Sequence, residues 1–571
     1  MKNNAVAKLL DQMADLLEFN GEMIFKINAY RKASRVIAEL PEDIESLHQQ
    51  GQLSGIEGIG KGLQEKIAEY LDTGQITQMQ ELMSKSPKEL FELLSIQHFG
   101  PKTAALAFSQ LGVETISDLE RVIQDGSLAT LPGMGAKKVE NIKKGLELRK
   151  NAEERVSIGL AIPIVQTVMD YLQEKAGNKL GRISAAGSLR RGKETVHDID
   201  ILAETDHGAE LVQLFVNMPG VTRVLSAGDT KGAVMLNDRV QAELRAVPAD
   251  SFGAAQQYYT GSKEHNVHLR ELAKKLGYKI NEYGIFAGEK KIGGKNEEDI
   301  YKALGMAWMP PEMREDRGEI EAAQADQLPE LVTFDDIKAE LHVHSTYSDG
   351  QLSLADMAAQ VRKMGYRYMS FCDHSKAARY ANGMEVKRLL GQIQAIRELN
   401  EKMAPFQILA GAEVDILPDG SLDYAEEVLA QLDFVVASIH SAFKTDPTSR
   451  TIAAMQNRYV DVIGHPTGRL ISRREGFELD MARVIAVARE TGTALEINSY
   501  WDRLDLSDLN ARQAIQAGVK ISINTDAHHP EHLAMMHFGV ATARRGWVQK
   551  KDVINCMTLA ALKKWQKRNR G

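Results

Sequence analysis

Apolar residues recur at three- and four-residue spacing through the first 150 positions, in runs such as 6–17, 30–40 and 63–71, with polar turns between them. That period puts one face of each segment into a core and predicts an all-helical region. From about residue 155 the pattern changes. Strand-like runs with glycine-rich turns, Gly181-Arg-Ile-Ser-Ala-Ala-Gly187 and Val196-His-Asp-Ile-Asp-Ile-Leu202, alternate with helical segments, so an α+β region is expected. A polar, acidic stretch around 313–330 has no strong period and reads as a linker. Beyond residue 340, apolar runs end in polar residues and are followed by helical segments. Seven such ends fall at 341–345, 369–374, 408–413, 434–440, 462–465, 494–498 and 521–528. Continuous apolar strands joined by helices imply a parallel sheet, and polar residues at successive strand ends are how barrel proteins assemble a site.

Length and composition narrow this picture. With 571 residues, 43% hydrophobic and 26% charged, the chain divides into three or four domains and has no long disordered region. Its two cysteines, Cys372 and Cys556, exclude a disulfide framework or a thiolate zinc site. Residues 1–4 lead into an amphipathic pattern without an apolar signal core, and no run reaches the roughly 18 apolar residues of a membrane span. A cytoplasmic protein with no membrane partner is therefore expected. The net charge of −8 excludes a strong overall basic field. Any contact with nucleic acid must rest on backbone amides, local Lys and Arg, or bound cations.

Amide sites of that kind are suggested in the helical region. Gly55-Ile-Glu-Gly-Ile-Gly-Lys-Gly62 and Leu131-Pro-Gly-Met-Gly-Ala-Lys-Lys138 each set Gly-apolar-Gly at the mouth of a helix. Gly58, Gly60, Gly62, Gly133 and Gly135 let a phosphate approach the backbone, the middle apolar residue anchors the turn, and free helix-terminal amides face the anion. The result is a helix-hairpin-helix. Gln97-His-Phe-Gly-Pro-Lys-Thr-Ala104, with Gly100, looks like a degraded third copy. Phe25-Lys-Ile-Asn-Ala-Tyr-Arg-Lys32 adds three cations on a preceding helix.

In the α+β region, Gly187-Ser-Leu-Arg-Arg-Gly192 is followed by His197-Asp-Ile-Asp-Ile201. Residues two apart on a strand share a face, roughly 6.6 Å apart, so Asp198 and Asp200 can grip divalent cations together. Such cations serve phosphoryl transfer to a 3′-hydroxyl, with Ser188, Arg191 and local amides on the phosphates. Residues 336–571 hold nine of the fifteen histidines. His342 and His344 share one strand face, Asp526 and His528 another, and Asp349, His374, Glu413, His440 and His465 complete nine candidate ligands. Mixed imidazole and carboxylate donors suit Zn²⁺, Mn²⁺ or Fe²⁺, and nine serve up to three ions if one carboxylate bridges. Lys444, Arg469 and Arg503 lie near strand ends as candidate phosphate contacts.

Over residues 1–310 these motifs resemble family X DNA polymerases, and over 336–571 the polymerase and histidinol phosphatase (PHP) domain. The resemblance implies a lyase-like helical domain (1–82), fingers with further hairpins (83–152), a nucleotidyltransferase palm (153–240), the end of the palm with the thumb (241–312), a linker (313–335) and a distorted (β/α)7 PHP barrel (336–571). It implies 5′-phosphate binding near Lys26, Tyr30 and Gly62, and sets Lys66 at the Schiff-base position of a 5′-deoxyribose-phosphate lyase. Phe25 stands where a histidine is found in that family. Tyr258-Tyr-Thr-Gly-Ser-Lys-Glu-His-Asn-Val-His-Leu-Arg270, by periodicity an ordinary strand-turn-helix, resembles the thumb motif. There Tyr258, Tyr259, Gly261 and Asn266 would contact the nucleotide and Arg270 the nascent pair. Glu243 replaces the usual third aspartate, and its extra methylene moves the carboxylate by about 1.5 Å, enough to cost on the order of 100-fold if uncompensated.

The activities implied are template-directed filling of short gaps from dNTPs, with Mg²⁺ or Mn²⁺ in the palm, and metal-dependent 3′→5′ exonuclease and 3′-end cleaning in the PHP domain, extending to cleavage at abasic sites. The expected partner is gapped or 3′-recessed DNA with a 5′-phosphate, bound by a monomer. Two alternatives stay open: a PHP nuclease with a polymerase-inactive DNA-binding front half, and a small-molecule PHP phosphatase. Six acids of the surplus are expected metal ligands, so net charge is the wrong scale for judging DNA binding here.

Overall fold

The computed structural model describes residues 2–38, 44–56, 59–96 and 98–569. The chain forms two compact units, Met1–Glu153 and Glu154–Gly571. Part of the expected helix at 30–40 lies outside the described residues. So does Gly58, the first glycine of the expected phosphate-gripping turn.

The first unit is helical. In the helix Asn3–Phe19, Val6, Leu10, Met13 and Leu17 form a stripe that packs on Ile27, Tyr30 and Ile37 of the helix Ile24–Ala38 and on Leu63 and Ile67 of the helix Lys61–Thr73. Leu16 and Phe19 of the same first helix point into a second core with Leu93, Phe99, Ala107, Leu119 and Ile142. One helix thus serves two small cores, as its wide apolar face allows.

The second unit begins with a five-stranded sheet: β1 (Ile183–Ala185), β2 (Asp198–Glu204), β3 (Val221–Ala227), β4 (Lys231–Leu236) and β5 (Val240–Val247), in the order β1-β2-β5-β4-β3. β2 and β5 run parallel, the other pairs antiparallel. The helices Ile158–Ala176 and Gly208–Val216 bury Val165, Val168, Leu172, Val212 and Phe215 against Ile199, Ile201 and Leu244. A smaller antiparallel sheet follows, β6 (Tyr278–Asn281), β7 (Gly284–Ala287) and β8 (Lys290–Gly293). Before it, residues 258–270 differ from the strand-turn-helix that periodicity suggests. Phe252–Thr260 is a helix, Gly261 turns the chain at φ +71°, and Lys263–Lys275 is a second helix. Gly253 explains the outcome: a Cβ there would overlap the backbone at Asn296, so this helix packs directly on a neighbouring chain segment.

Seven parallel strands in sequential order complete the unit: β9 (Ala339–Val343), β10 (Tyr368–Phe371), β11 (Gln407–Asp415), β12 (Phe434–Ser438), β13 (Val462–Ile463), β14 (Ala494–Asn498) and β15 (Ile521–Asn524). A parallel bridge between Val343 and Ala527 brings the last strand to the first, closing a (β/α)7 barrel. All seven expected strands are present, and every strand residue except Gln407 is buried.

The expected linker is not a loose tether. It carries the helix Glu319–Gln324, and Met313, Arg314, Glu319, Ile320 and Ala323 are buried. Its acids have fixed partners. Glu315 receives Arg191 (3.1 Å), Lys193 (3.4 Å) and Arg545 (2.9 Å), and Glu312 receives Arg544 at 2.7 Å. The segment 312–315, the palm region and the barrel therefore meet through part-buried ion pairs. Trp501 of the barrel also lies where a Cβ on Gly159 would stand.

Candidate functional site

The barrel gathers its polar residues at the carboxyl ends of the strands. His342 sits in β9 and Glu413 in β11, while His344, His374, His440, His465, Asp526 and His528 follow their strands within four residues. Asp349 lies on the loop after β9. Three overlapping groups have ligand atoms within 4.8 Å of one another: His344, Asp349, His374 and His528; His342, His344 and Asp526; and His374, Glu413 and His440. Glu413 is central, with His374 Nδ1 at 2.9 Å, His465 Nε2 at 3.0 Å, His440 Nε2 at 3.3 Å and His342 Nε2 at 3.6 Å.

Several of these donors are close without being satisfied. His342 Nε2, His344 Nε2, His374 Nδ1, Glu413 Oε2 and Asp526 Oδ1 are buried and have no hydrogen-bond partner. Orphaned polar atoms are rare in protein interiors. Five of them gathered at one rim of the barrel, all lone-pair donors, fit divalent metal ions. Burial and the imidazoles of His528 and His374 push His344 down to about 3, which keeps its ring neutral and able to ligate. His465 (φ +26°) and Asp526 (φ +52°) are non-glycine residues in left-handed backbone. Such strain persists where the surrounding structure imposes it, commonly at functional sites.

An outer shell orients the donors, and here the sequence reading found less. Glu496 Oε1 lies 2.8 Å from His342 Nδ1, while its Oε2 accepts the His465 amide at 2.8 Å. Asp415 holds His440 Nδ1 at 3.2 Å, and Asn498 donates to Asp526 at 2.9 Å. Asp373 accepts from the amides of Ser345 and Ser348 and from both hydroxyls, fixing the loop that carries Asp349. Acids inside otherwise apolar strands, as in Ala494-Leu-Glu-Ile-Asn498, were the available signal. Among the expected phosphate contacts, Lys444 is exposed. Arg469 requires correction: it is committed to Glu194 (2.7 Å) and to the carbonyls of Arg503 and Leu504.

The palm site is built differently. Asp198 and Asp200 share the half-buried face of β2, and the β2–β5 register sets Asp200 opposite Glu243. Burial, then the charges of Asp198 and Glu243, push Asp200 up to about 7. Three carboxylates brought this close also fit a divalent cation. Glu243 is drawn toward Lys231 (3.1 Å) and Arg245 (3.5 Å). Gly187, at φ +59°, leaves room for Asp200, since a Cβ there would overlap its carboxylate. Ser188 is half-buried on the short helix Gly187–Arg190. Arg191 donates to Glu315 and to the Thr260 carbonyl. The Tyr258 and Tyr259 rings meet edge to face at 5.2 Å, Asn266 bonds Gln257 and the Tyr258 carbonyl, and Arg270 is exposed.

In the helical unit, Gly60 and Gly100 stand at helix N-termini with no side-chain cap. A Cβ at Gly60, Gly62, Gly100, Gly133 or Gly135 would meet nothing within 4 Å, so these glycines fill no packing need and keep the surface open. Gly58, expected to act with them, is outside the described residues, so the first turn is defined here by Gly60 and Gly62. Lys66 pairs with Glu69 at 3.1 Å and Lys26 with Glu22 at 3.0 Å, while Tyr30 is buried.

Comparison with known proteins finds four family matches along the chain. The chain matches a helix-hairpin-helix domain over residues 1–76, a SAM-like helix-hairpin-helix tandem over 90–149, a DNA polymerase beta thumb over 255–315 and a PHP domain over 340–499. It is 38% identical over 577 aligned positions to the DNA polymerase/3′-5′ exonuclease PolX of Bacillus subtilis (strain 168), covering 100% of both chains. A probable phosphatase of Thermoanaerobacter sp. (strain X514) is 31% identical over 33% of this chain and 78% of its own. DNA polymerase lambda of Arabidopsis thaliana is 24% identical over 50% of this chain and 57% of its own. With a full-length relative and both ends of the chain matched, the protein belongs to the family X DNA polymerases that carry a C-terminal PHP domain.

Proposed function

We propose that this chain is a cytoplasmic DNA repair polymerase that fills short gaps from dNTPs and removes nucleotides from DNA 3′ ends in its barrel. The observation that carries the reading is the end-to-end likeness to a polymerase/exonuclease in a chain that keeps both carboxylate and histidine sets.

Asp198, Asp200 and Glu243 would hold Mg²⁺ or Mn²⁺, which supplies activation of the primer 3′-hydroxyl and neutralisation of the triphosphate. The 3′-oxygen bonds to the α-phosphorus as pyrophosphate leaves. Ser188 and the amides beside Gly187 hold the phosphates, with Arg191 joining them when the nucleotide competes for it with Glu315. Tyr258, Tyr259, Gly261 and Asn266 present the sugar and base, and Arg270 meets the nascent pair. In the barrel, His342, His344, Asp349, His374, Glu413, His440, His465, Asp526 and His528 would hold up to three Zn²⁺, Mn²⁺ or Fe²⁺ ions, which supply water activation and charge on the leaving oxygen. Hydrolysis breaks the bond between phosphorus and the penultimate 3′-oxygen, releasing a nucleoside 5′-monophosphate. The same set would serve 3′-end cleaning and abasic-site cleavage. Amides at Gly60, Gly62, Gly100, Gly133 and Gly135 grip backbone phosphates without reading sequence, with the 5′-phosphate near Lys26 and Tyr30 and a lyase role for Lys66.

One labelled gapped duplex, incubated with Mg²⁺ or Mn²⁺ with and without nucleotides, tests the reading. Asp198→Ala should abolish extension and spare degradation; His344→Ala should do the reverse. Full activity in Asp198→Ala would leave only a nuclease. Efficient turnover of histidinol phosphate, with a 3′-recessed duplex untouched, would make the barrel a small-molecule phosphatase.

A further inference from the structure

The nine histidines and acids account for hydrolysis of a phosphoester but not for choosing a DNA end over a small one. Two residues at the rim bear on that choice: Tyr380, which has no part assigned so far, and Arg503, a candidate phosphate contact from its place near a strand end. Tyr380, in the turn Arg379–Ala381, is 58% exposed although its ring centroid lies 6.2 Å from those of both His374 and His440. The two imidazoles lie at 57° and 75° to the tyrosine ring. Arg503 follows β14, and its charge reaches the Tyr380 hydroxyl, Asp505 and Arg474. Arg503 is half-buried on the loop that a bridge between Asn498 and Asp505 closes, and among the described residues its side chain is committed to no hydrogen bond. Neighbouring Arg474, by contrast, donates twice to the Gly468 carbonyl. A guanidinium at the rim with no committed protein partner is free to take an anion on its parallel N–H donors.

Resting on the hydrolase reading above, we infer that Tyr380 and Arg503 form a subsite for the end of a DNA strand: Tyr380 stacks on an unpaired 3′-terminal base and Arg503 holds an adjacent phosphate. An aromatic ring accepts any base on its face, so the subsite recognises a frayed or single-stranded end without sequence preference. It also brings the terminal phosphodiester to the histidines through contacts that a small phosphomonoester lacks.

The test compares two single-stranded oligonucleotides, one with an ordinary 3′-terminal nucleotide and one ending in a base-free tetrahydrofuran residue, degraded by the full chain. Tyr380→Ala should raise KM for the ordinary end by roughly 10- to 100-fold, the range of a lost base stack, and leave the base-free end unchanged. Tyr380→Phe and Tyr380→Trp should behave as wild type. Arg503→Gln should raise KM for both substrates and flatten the salt dependence of log KM by about 0.7, as for one lost phosphate contact on a single strand. An equal effect of Tyr380→Ala on both ends, no effect, or a loss in Tyr380→Phe matching that in Tyr380→Ala overturns the inference. A binding arm stands apart from catalysis. In the His344→Ala background, 2-aminopurine at the 3′ end should be quenched on binding, and adding Tyr380→Ala should remove that quenching. Unchanged quenching sinks the subsite even if degradation proves to reside elsewhere, whereas degradation surviving His344→Ala sinks only the hydrolase reading.

Discussion

The two candidate centres solve the same electrostatic problem in opposite ways. In the barrel, opposed donors are packed around Glu413, and an outer shell of Glu496, Asp415, Asn498 and Asp373 fixes their orientation. In the palm, three carboxylates stand half-buried, Asp200 is pushed up to about 7, and Glu243 turns toward lysine and arginine. Among the described residues, every group of three or more donors close enough to share an ion lies in the barrel.

The contrast can be broken most sharply at Gly187. Gly187→Ala would drive a Cβ into the Asp200 carboxylate at a left-handed position. Primer extension should fall by about 100-fold, the cost of an ångström-scale misplacement, while 3′ hydrolysis stays at the wild-type rate. A comparable loss in both reactions would show that the centres are not independent. Next in size, Glu496→Gln removes a charge behind His342. Outer-shell changes of this kind cost roughly 10- to 100-fold in metal affinity, so hydrolysis should need correspondingly more Mn²⁺ and extension none. Titration of both activities against Mn²⁺ on one preparation checks this.

A smaller effect comes from pH. With Asp200 held near 7, a proton competes with the cation below that value, so palm affinity for Mn²⁺, read by calorimetry in His344→Ala protein, should weaken up to about tenfold per pH unit below 7 and level off above it. The sign for stability is opposite. Because the folded carboxyl titrates above its ordinary 3.8, the metal-free native state retains a proton that the unfolded chain has lost, and the Asp200 contribution to stability falls as pH rises from about 4 to 7. Saturating Mn²⁺ should abolish that decline in thermal midpoint. Least of all, Glu243→Asp should speed extension only a few-fold, because Lys231 and Arg245 already fix where the longer side chain points. A rise approaching 100-fold in steady-state extension would mean that they do not.

The nine barrel donors were legible because period and position coincide: apolar strands of a parallel sheet end in polar residues, and those ends meet at one rim. Asp198 and Asp200 were legible because two-residue spacing on a strand leaves no choice of face. Glu496 was not, since its partner His342 lies 154 positions away and nothing local distinguishes a buried carboxylate from an ordinary one. Residues 313–330 misled for a related reason. Acids without apolar period read as a solvated linker, yet the part-buried Glu315 is paired with Arg545 and the buried Glu319 is hydrogen-bonded to His265, partners that lie far off in the chain. The thumb helix Phe252–Thr260 was missed because tertiary contact through Gly253, rather than local periodicity, decides its conformation.

The pairing at Glu315 reaches beyond its own geometry. Arg545 comes from the barrel and is 5% exposed; it bonds Glu315 at 2.9 Å and the Arg191 carbonyl at 2.8 Å, so a barrel residue helps hold the loop that follows the polymerase's Gly-Ser turn. The hydrolase is thus also masonry for its neighbour. A lineage that lost every histidine from the rim would forfeit one reaction and still be obliged to keep the barrel's outline. Inheritance of the two halves is tied by a shared wall even where selection acts on only one of them.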